Sequence, residues 1–280
     1  MVKRTLSSIF LLLILSCSIY FGKAFGFSAL ILILALLASY EACQIEKKCG
    51  LAPRFWVVGS LVAIIFVEKI LQASGLNYNL SAILSVPLFC VLSPVILFGF
   101  FAVAALKSPY GDYPIKTLVP EFLTIMALGY MLSYFTDIAF FDLKIAVWAI
   151  LVIKFSDIGG YLFGSWFGIN KIAPSISPKK SYEGLLGGMF LSCAGGMAIA
   201  HYLLKESFKG TPVWIIGALC AFIAVVALLS DLVESALKRK AGVKDSGSTL
   251  PGIGGALDLA DSLILTTPVM AFVLLYIPIK

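Results

Sequence analysis

Acidic residues flank a basic, glycine-rich segment near the C-terminal end of this chain. The segment covers residues 231–261 and interrupts an otherwise apolar sequence. Its flanking acids are Asp231, Glu234, Asp258 and Asp261. Carboxylates are ligands that Mg²⁺ prefers, and lysine, arginine and backbone N–H groups bind phosphate oxygens. The sequence therefore predicts a site for a metal-bound polyphosphate, beside a membrane that would hold a lipid as the second substrate.

The helices on either side of this segment determine which of its side chains meet. If the upstream helix continues past the membrane, positions i, i+4 and i+7 form one stripe. That stripe carries Asp231, Ser235 and Lys238, with Glu234 flanking it. Asp258 and Asp261 are three residues apart, so they share a face at the start of the next helix. Both helix ends are thus expected to present carboxylates.

The helix dipole separates two explanations for these carboxylates. A helix N-terminus stabilises negative charge, which is a sufficient structural reason for Asp258 and Asp261. Asp231 is instead expected at a helix C-terminus, where the dipole disfavours an anion. A nearby positive charge should compensate it. We expect Mg²⁺ shared between Asp231 and Asp258, and Lys244, next to Asp245, is the weaker alternative.

The segment between the two helices is rich in glycine. Glycines permit close approach of the backbone to a phosphate group. They stand at Gly242, Gly247, Gly252, Gly254 and Gly255.

A second polar region begins at Lys154. Asp157 lies within an apolar stretch, where an unpaired carboxylate is costly, and Lys154 is placed to pair with it. Glycines recur every four residues at Gly160, Gly164 and Gly168, a spacing that lets another helix approach closely. This stripe predicts either packing alone or a packing face beside a functional acid.

A basic loop follows the glycine stripe. It contains Lys171, Lys179 and Lys180, together with two prolines that favour an ordered, non-helical path. A pair of lysines on an ordered loop could clamp a phosphate. A solvated loop that follows the charge bias of membrane proteins would look similar.

Composition identifies the broad class. The chain has 280 residues, of which 60% are hydrophobic and only 13% charged, and its mean hydropathy is +1.02. Soluble domains carry about twice this charged fraction. Apolar runs of about 20 residues, long enough to cross a bilayer, recur along the chain. We predict an all-α polytopic membrane protein with about nine spans, at 5–22, 25–43, 55–73, 81–106, 115–135, 139–167, 184–204, 212–231 and 255–277.

The basic residues predict the orientation. With nine spans and a cytoplasmic N-terminus, most of the 21 lysine and arginine residues fall in cytoplasmic loops. The polar loops 168–183 and 232–254 then face the cytoplasm, where nucleotides are found. We interpret residues 1–135 as a transmembrane scaffold and residues 136–280 as the catalytic region.

Several functions are disfavoured. The net charge of +6 reflects loops beside an anionic leaflet, and no basic block is long enough to indicate nucleic-acid binding. The six cysteines form no CxxC motif, which argues against a zinc site or a disulfide framework. With His201 as the only histidine, the chemistry is expected to depend on carboxylates and metal.

The segment resembles the signature of phosphatidate cytidylyltransferases, also called CDP-diacylglycerol synthases. That pattern runs Ser-x-apolar-Lys-Arg, four residues, Lys-Asp-x-small, a Pro/Gly turn, Gly-Gly and a closing Asp-x-x-Asp. It is matched by Ser235, Lys238, Arg239, Lys244, Asp245, Gly247, Pro251, Gly254, Gly255, Asp258 and Asp261. The stretch from Asp157 to Gly184 is also similar to a marked region of that family. Two positions depart from the pattern: Ile253 replaces a frequent histidine, and Leu259 replaces a basic residue.

The resemblance implies transfer of a cytidylyl group from CTP to phosphatidic acid in phospholipid synthesis. It implies a bacterial inner-membrane enzyme with its active site facing the cytoplasm, and a homodimer for which the glycine stripe is a candidate interface. The implied catalytic residues are Asp231, Asp258, Asp261, Lys238 and Arg239. Of these, Asp231 and Asp258 would bind Mg²⁺, and Asp261 would bind the same ion or a second cation. The implied substrate-binding residues are Ser235, Lys244, Asp245, Gly254, Gly255, Asp157, Lys179 and Lys180.

Two other functions use similar residues. A CTP-dependent kinase acting on a prenol or dolichol would transfer the γ-phosphoryl group and release CDP. A cation-coupled transporter could use Asp157, Asp231 and Asp258 as an ion path. Acids clustered at one face of the membrane favour surface chemistry over a path, which needs ionisable groups through to the other side.

Overall fold

The computed structural model describes residues 2–75, 114–250 and 254–274, with side chains described at residues 13, 15–75, 116–250 and 254–274. The predicted span at 81–106 lies outside the described residues. Within them, seven helices are long and apolar enough to cross a membrane. They cover Leu15–Lys48, Phe55–Ala73, Lys116–Phe141, Leu143–Phe167, Tyr182–Tyr202, Val213–Lys240 and Ala256–Leu274. The protein is therefore an integral membrane protein built from helices.

The first helix, α1 (Val2–Lys48), is longer than either span predicted for it. The sequence predicts two spans, 5–22 and 25–43, and the structure has two helices that join at a kink between them. Lys23, with φ 48° and ψ −132°, interrupts the helical geometry at the predicted gap. The kink lies beside Gly22, a weak helix former, at the boundary that the sequence predicts between the two spans.

The chain folds into two compact units. The first comprises Met1–Phe140 and Ala241–Leu257. In it, α1 packs against α2 (Phe55–Ala73) and against a helical segment that follows Pro114. That segment alternates wider π-helical turns at Pro114–Leu118 and Ile125–Met131 with α3 (Val119–Thr124) and α4 (Leu132–Phe141).

Two ion pairs connect the helices of the first unit. Arg54 donates through Nε and Nη2 to the carboxylate of Glu121, at 2.8 and 3.0 Å, and the Glu121 side chain is only 4% exposed. Lys69 on α2 donates to Asp137 on α4 at 2.6 Å. Charges at membrane depth are expensive unless they are paired, so both contacts hold neighbouring helices in register.

The second unit comprises Phe141–Lys240 with Asp258–Lys280. Its elements are α5 (Leu143–Phe167), a hairpin of β1 (Lys171–Ala173) and β2 (Ser177–Ser181), α6 (Tyr182–Tyr202), α7 (Val213–Lys240) and most of α8 (Ala256–Leu274). The hairpin is antiparallel and pairs Lys171 with Ser181 and Ala173 with Ser177. The predicted loop 168–183 is thus ordered and non-helical.

The glycine stripe of α5 packs against α6 of the same chain. A Cβ built on Gly159 would lie 2.4 Å from the carbonyl oxygen of Gly187, so the helix backbones are in direct contact there. Gly160 and Gly164 also face Gly184 on α6. This packing corrects the suggestion that the stripe forms a dimer interface, because a helix of the same chain already covers it.

Candidate functional site

The C-terminal end of α7 and the first turns of α8 bring carboxylates together. The predicted stripe on α7 is present, and Ser235 Oγ donates to Asp231 Oδ1 at 3.2 Å. One carboxylate oxygen from each of Asp231, Glu234 and Asp261 lies within 4.8 Å of the other two. Three anionic groups at this separation repel one another strongly in a low-dielectric site unless a cation lies between them. The cluster can therefore hold a metal ion.

Glu234 provides the test of whether these residues suit a metal. Its side chain is 4% exposed, and its Oε1 has no hydrogen-bond partner among the described residues. A buried carboxylate oxygen without a donor is costly, and an ion in the cluster would satisfy it. The oxygen-only donor set is the kind that Mg²⁺ and Ca²⁺ bind. The residues present thus fit a hard divalent cation.

The backbone and a hydroxyl hold Asp261 in place. Ser262 donates its backbone N–H to Asp261 Oδ1, and Ser230 on α7 donates its hydroxyl to the Asp261 carbonyl oxygen. The second contact connects α7 with α8 at the level of the carboxylates. These contacts restrict the rotation of the Asp261 side chain, which keeps one of its oxygens in the cluster.

Lys238 lies between two acids and organises the edge of the cluster. Its Nζ is 2.5 Å from Glu234 Oε2 and 2.6 Å from Asp258 Oδ1, and its side chain is 11% exposed. The sequence predicted Asp231, Asp258 and Asp261 as metal ligands. In the structure, Asp231 and Asp261 lie in the carboxylate cluster together with Glu234. Asp258 instead pairs with Lys238. The spacing of Asp231 and Glu234, three residues on one helix, was the signal that could have included Glu234 from the start.

Asp231 does not lie at a helix C-terminus as the sequence predicted, because α7 continues to Lys240, more than two turns beyond it. The β-hairpin nevertheless places a cation beside it. Lys180 on β2 places its Nζ 2.6 Å from Asp231 Oδ2. Arg239 Nε donates to the carbonyl oxygen of Ile176 in the hairpin turn, at 3.0 Å. Successive strand residues point to opposite faces, and the neighbouring Lys179 is exposed. Lys180 and Arg239 therefore both join the hairpin to the end of α7.

Local capping interactions explain the position of the hairpin. Ser181 Oγ accepts the N–H of Gly184 at 3.1 Å and so caps the N-terminus of α6. Glu183, in the first turn of α6, accepts from the side chain of Asn170 at 2.7 Å. Both contacts fix the strand ends relative to α6.

Asp157 is outside the group of three carboxylates. It pairs with Lys154 at 3.1 Å, as the sequence predicted, and both side chains are more than a third exposed.

The remaining predicted residues belong to the glycine-rich loop, residues 241–257, in the first unit. Lys244 and Asp245 are exposed in this loop, whereas Gly255 is buried. Leu250 and Gly254 exchange two backbone hydrogen bonds of 3.0 and 3.1 Å, and Gly254 has φ 124°, which favours glycine. Ile253, one of the two departures from the signature, lies outside the described residues, whereas Leu259 is part of α8.

Comparison with known proteins identifies the family of this chain. A sequence model of the cytidylyltransferase family matches residues 2–277. The chain belongs to this family. Several curated relatives are named phosphatidate cytidylyltransferase. One from Staphylococcus aureus (strain COL) is 37% identical over 150 residues, which cover 54% of this chain and 55% of the relative.

Two other relatives with the same name extend the comparison. The Haemophilus influenzae protein is 27% identical over 282 residues, covering 96% of this chain and 97% of the relative. The Synechocystis sp. protein is 44% identical over 140 residues, covering 49% and 45%. In the alignments with the Staphylococcus and Synechocystis proteins, the chain spans about half the length of the relative. The family model, by contrast, matches nearly the whole chain, so the assignment to the cytidylyltransferase family does not depend on these partial alignments.

Proposed function

We propose that this protein transfers the cytidylyl group of CTP to phosphatidic acid, giving CDP-diacylglycerol and pyrophosphate. The observation that carries the proposal is the cluster of Asp231, Glu234 and Asp261 with Lys180 and Lys238 at its edges, in a membrane-spanning cytidylyltransferase. A phosphate oxygen of the lipid would form a bond to the α-phosphorus of CTP. The bond from the α-phosphorus to the bridging oxygen of the β-phosphate would break, and pyrophosphate would leave.

Asp231, Glu234 and Asp261 would hold a divalent cation, which we propose to be Mg²⁺. When bound, the ion would neutralise charge on the phosphate oxygens. A second cation remains a prediction from the family resemblance. We assign Asp258 a different part from the one the sequence indicated: it would hold Lys238 in position rather than bind the first ion.

The lysines would bind the phosphates of the two substrates. Lys238 is held by Glu234 and Asp258, so its ammonium group stays at the edge of the carboxylate cluster. Lys180 pairs with Asp231, so its ammonium group lies beside the carboxylate cluster, where it would bind a phosphate oxygen of a substrate. Arg239 and the exposed Lys179 would complete this set of cations, and Lys244 stays a substrate-binding residue predicted from the sequence. Positioning and charge neutralisation would then account for most of the catalysis.

No general base is required for this reaction. The lipid phosphate is already ionised at neutral pH, so the nucleophile needs no proton removed. The chemistry is therefore compatible with a site made of carboxylates and lysines.

We further propose the topology that the basic residues predict. It has nine spans, an N-terminus in the cytoplasm, and an active site facing the cytoplasm from a bacterial inner membrane. Residues 136–280 would carry most of the chemistry and residues 1–135 would form the scaffold. A homodimer would have to use a face other than the glycine stripe.

The test uses purified protein in detergent with phosphatidic acid, Mg²⁺ and CTP labelled at the α-phosphorus. Transfer of label into the organic phase that requires both the lipid and Mg²⁺ is the expected result. Parallel reactions with a prenol and CTP labelled at the γ-phosphorus test for kinase activity. Transfer of the γ-label to the prenol, with none of the α-label to phosphatidic acid, would overturn the proposal in favour of a CTP-dependent lipid kinase.

A further inference from the structure

A buried glutamate in the N-terminal half of the chain binds the glycine-rich loop. Glu41 lies on α1 and is 2% exposed. Its Oε2 accepts from Ser246 Oγ at 2.9 Å and from the backbone N–H of Leu257 at 2.9 Å. Its Oε1 accepts from Thr249 Oγ1 at 2.5 Å and from the Thr249 backbone N–H at 3.4 Å. One carboxylate thus connects both ends of a loop segment that is far from it in sequence.

These contacts stabilise both the buried Glu41 carboxylate and the N-terminal end of α8. A buried carboxylate is costly unless several donors surround it, and four donors surround Glu41. Leu257 lies in the first turn of α8, whose N–H groups have no partner within the helix. An acid at this helix end also interacts favourably with the helix dipole. Glu41 therefore acts as a cap on α8 that is supplied by α1.

The fit around Glu41 is close. A Cβ built on Gly247 would lie 2.2 Å from Glu41 Oε1, so a larger residue could not occupy this position without movement of the loop. Thr249 Oγ1 also accepts the N–H of Ala256 at 3.3 Å, which extends the contact to the start of α8. The loop backbone is thus shaped around the carboxylate.

The same helix contains a control for this interpretation. Glu46 is also buried, at 5% exposure, but it contacts the scaffold: its Oε1 accepts from Thr124 at 2.8 Å. Its Oε2 has no hydrogen-bond partner among the described residues. Glu46 variants therefore remove a buried acid from α1 without removing a contact with the glycine-rich loop.

We propose that Glu41 is a positioning residue for nucleotide binding. This inference rests on the proposed function, because it assumes that Lys244 and the loop glycines bind CTP. Glu41 holds the loop in its binding conformation without touching the substrate itself. Its loss should therefore weaken CTP binding much more than it slows the chemical step.

The experiment compares Glu41→Met and Glu41→Gln with Glu46→Met and Glu46→Gln. Methionine removes all the acceptors for the loop, whereas glutamine keeps one oxygen and can donate to Thr249 Oγ1. Each hydrogen bond to a charged group is worth about tenfold or more in an equilibrium constant. We expect the KM for CTP to rise at least about tenfold in Glu41→Met and by a smaller factor in Glu41→Gln. We expect kcat at saturating CTP to stay within about threefold of wild type, and both Glu46 variants to keep the wild-type KM within about threefold.

Hydrogen exchange supplies a readout that does not depend on activity. Amides in the peptide covering residues 241–257 should exchange faster in both Glu41 variants than in wild type and in the Glu46 variants. Gly247→Ala should also speed up exchange of these amides, because the new Cβ would displace the loop from Glu41. If Glu41→Met does not fold, Glu41→Gln and Gly247→Ala carry the test.

The outcomes separate the two proposals. Faster exchange of the loop together with a raised KM supports the inference. Unchanged exchange in the Glu41 variants, or a fall in kcat with an unchanged KM, would overturn it. Faster loop exchange in the Glu41 variants, together with a folded wild-type protein that transfers no cytidylyl group, would contradict the proposed function and, with it, the role of Glu41 in nucleotide binding.

Discussion

Replacing Lys238 by methionine should destabilise the protein strongly. Lys238 Nζ is 2.5 Å from Glu234 and 2.6 Å from Asp258, and its side chain is 11% exposed. Methionine has nearly the same length and no charge, so the substitution removes the ammonium group with little change in packing. Glu234, which is 4% exposed, would then lose its charge partner while remaining buried.

The magnitude follows from burial. At an effective dielectric constant of about 20, opposite unit charges 2.6 Å apart attract by about 6 kcal/mol, and much of this offsets the desolvation of the ions. Removing one partner of a buried pair leaves that desolvation uncompensated and typically costs about 3–5 kcal/mol. Exposed pairs are worth only about 0–1 kcal/mol. The free energy of unfolding should therefore fall by about 3–5 kcal/mol in Lys238→Met.

The assay is equilibrium unfolding in mixed detergent and SDS micelles, followed by tryptophan fluorescence. Lys209→Met is the matched control, since Lys209 pairs with Glu206 at 3.9 Å in the segment between α6 and α7, where both side chains are more than two thirds exposed. It should lower the free energy of unfolding by less than about 1 kcal/mol. Adding Glu234→Gln to Lys238→Met should recover part of the lost stability. Equal stability of the two single lysine variants would refute the argument from burial.

Other substitutions test the packing, the scaffold ion pair and the metal cluster. Gly159→Ala should lower the free energy of unfolding by about 1–3 kcal/mol, because the new Cβ would lie 2.4 Å from a backbone oxygen of α6. Gly160→Ala, whose nearest contact would be 3.6 Å, should stay within about 0.5 kcal/mol of wild type in the same unfolding assay. Arg54→Met should cost about 3 kcal/mol by leaving Glu121 buried without its partner, and an unchanged thermal midpoint would contradict this. Glu234→Gln should raise the Mg²⁺ concentration for half-maximal activity about tenfold or more, measured by titration at fixed CTP.

Apolar runs were enough to locate most of the helices. Phe55–Ala73, Leu143–Phe167 and Tyr182–Tyr202 all lie within a few residues of predicted spans, because a long apolar run in this composition has few alternatives to a membrane helix. The kink at Lys23 falls between the two spans predicted for the first run, and the number of membrane crossings in that run stays a prediction.

The candidate site was predictable where helical spacing determined it. Asp231 and Ser235 are one turn apart, and their contact follows from the geometry of a single helix. The partner of Asp258 and the contact between Lys180 and Asp231 depend on how separate elements pack, which residue spacing does not encode. Glu41 was missed for the same reason: it is one acid in an apolar helix, and its partners are about 200 residues away.

Direct measurement of metal binding tests the central claim, that Asp231, Glu234 and Asp261 hold the divalent cation. Mn²⁺ can replace Mg²⁺, and electron paramagnetic resonance distinguishes bound from free Mn²⁺. Asp261→Asn should weaken Mn²⁺ binding at least about tenfold while the protein remains folded. Asp142→Asn, at the N-terminal end of α5 where Asp142 caps the helix, should bind Mn²⁺ as wild type does. Wild-type affinity in Asp261→Asn would contradict the claim and show that the cation binds elsewhere.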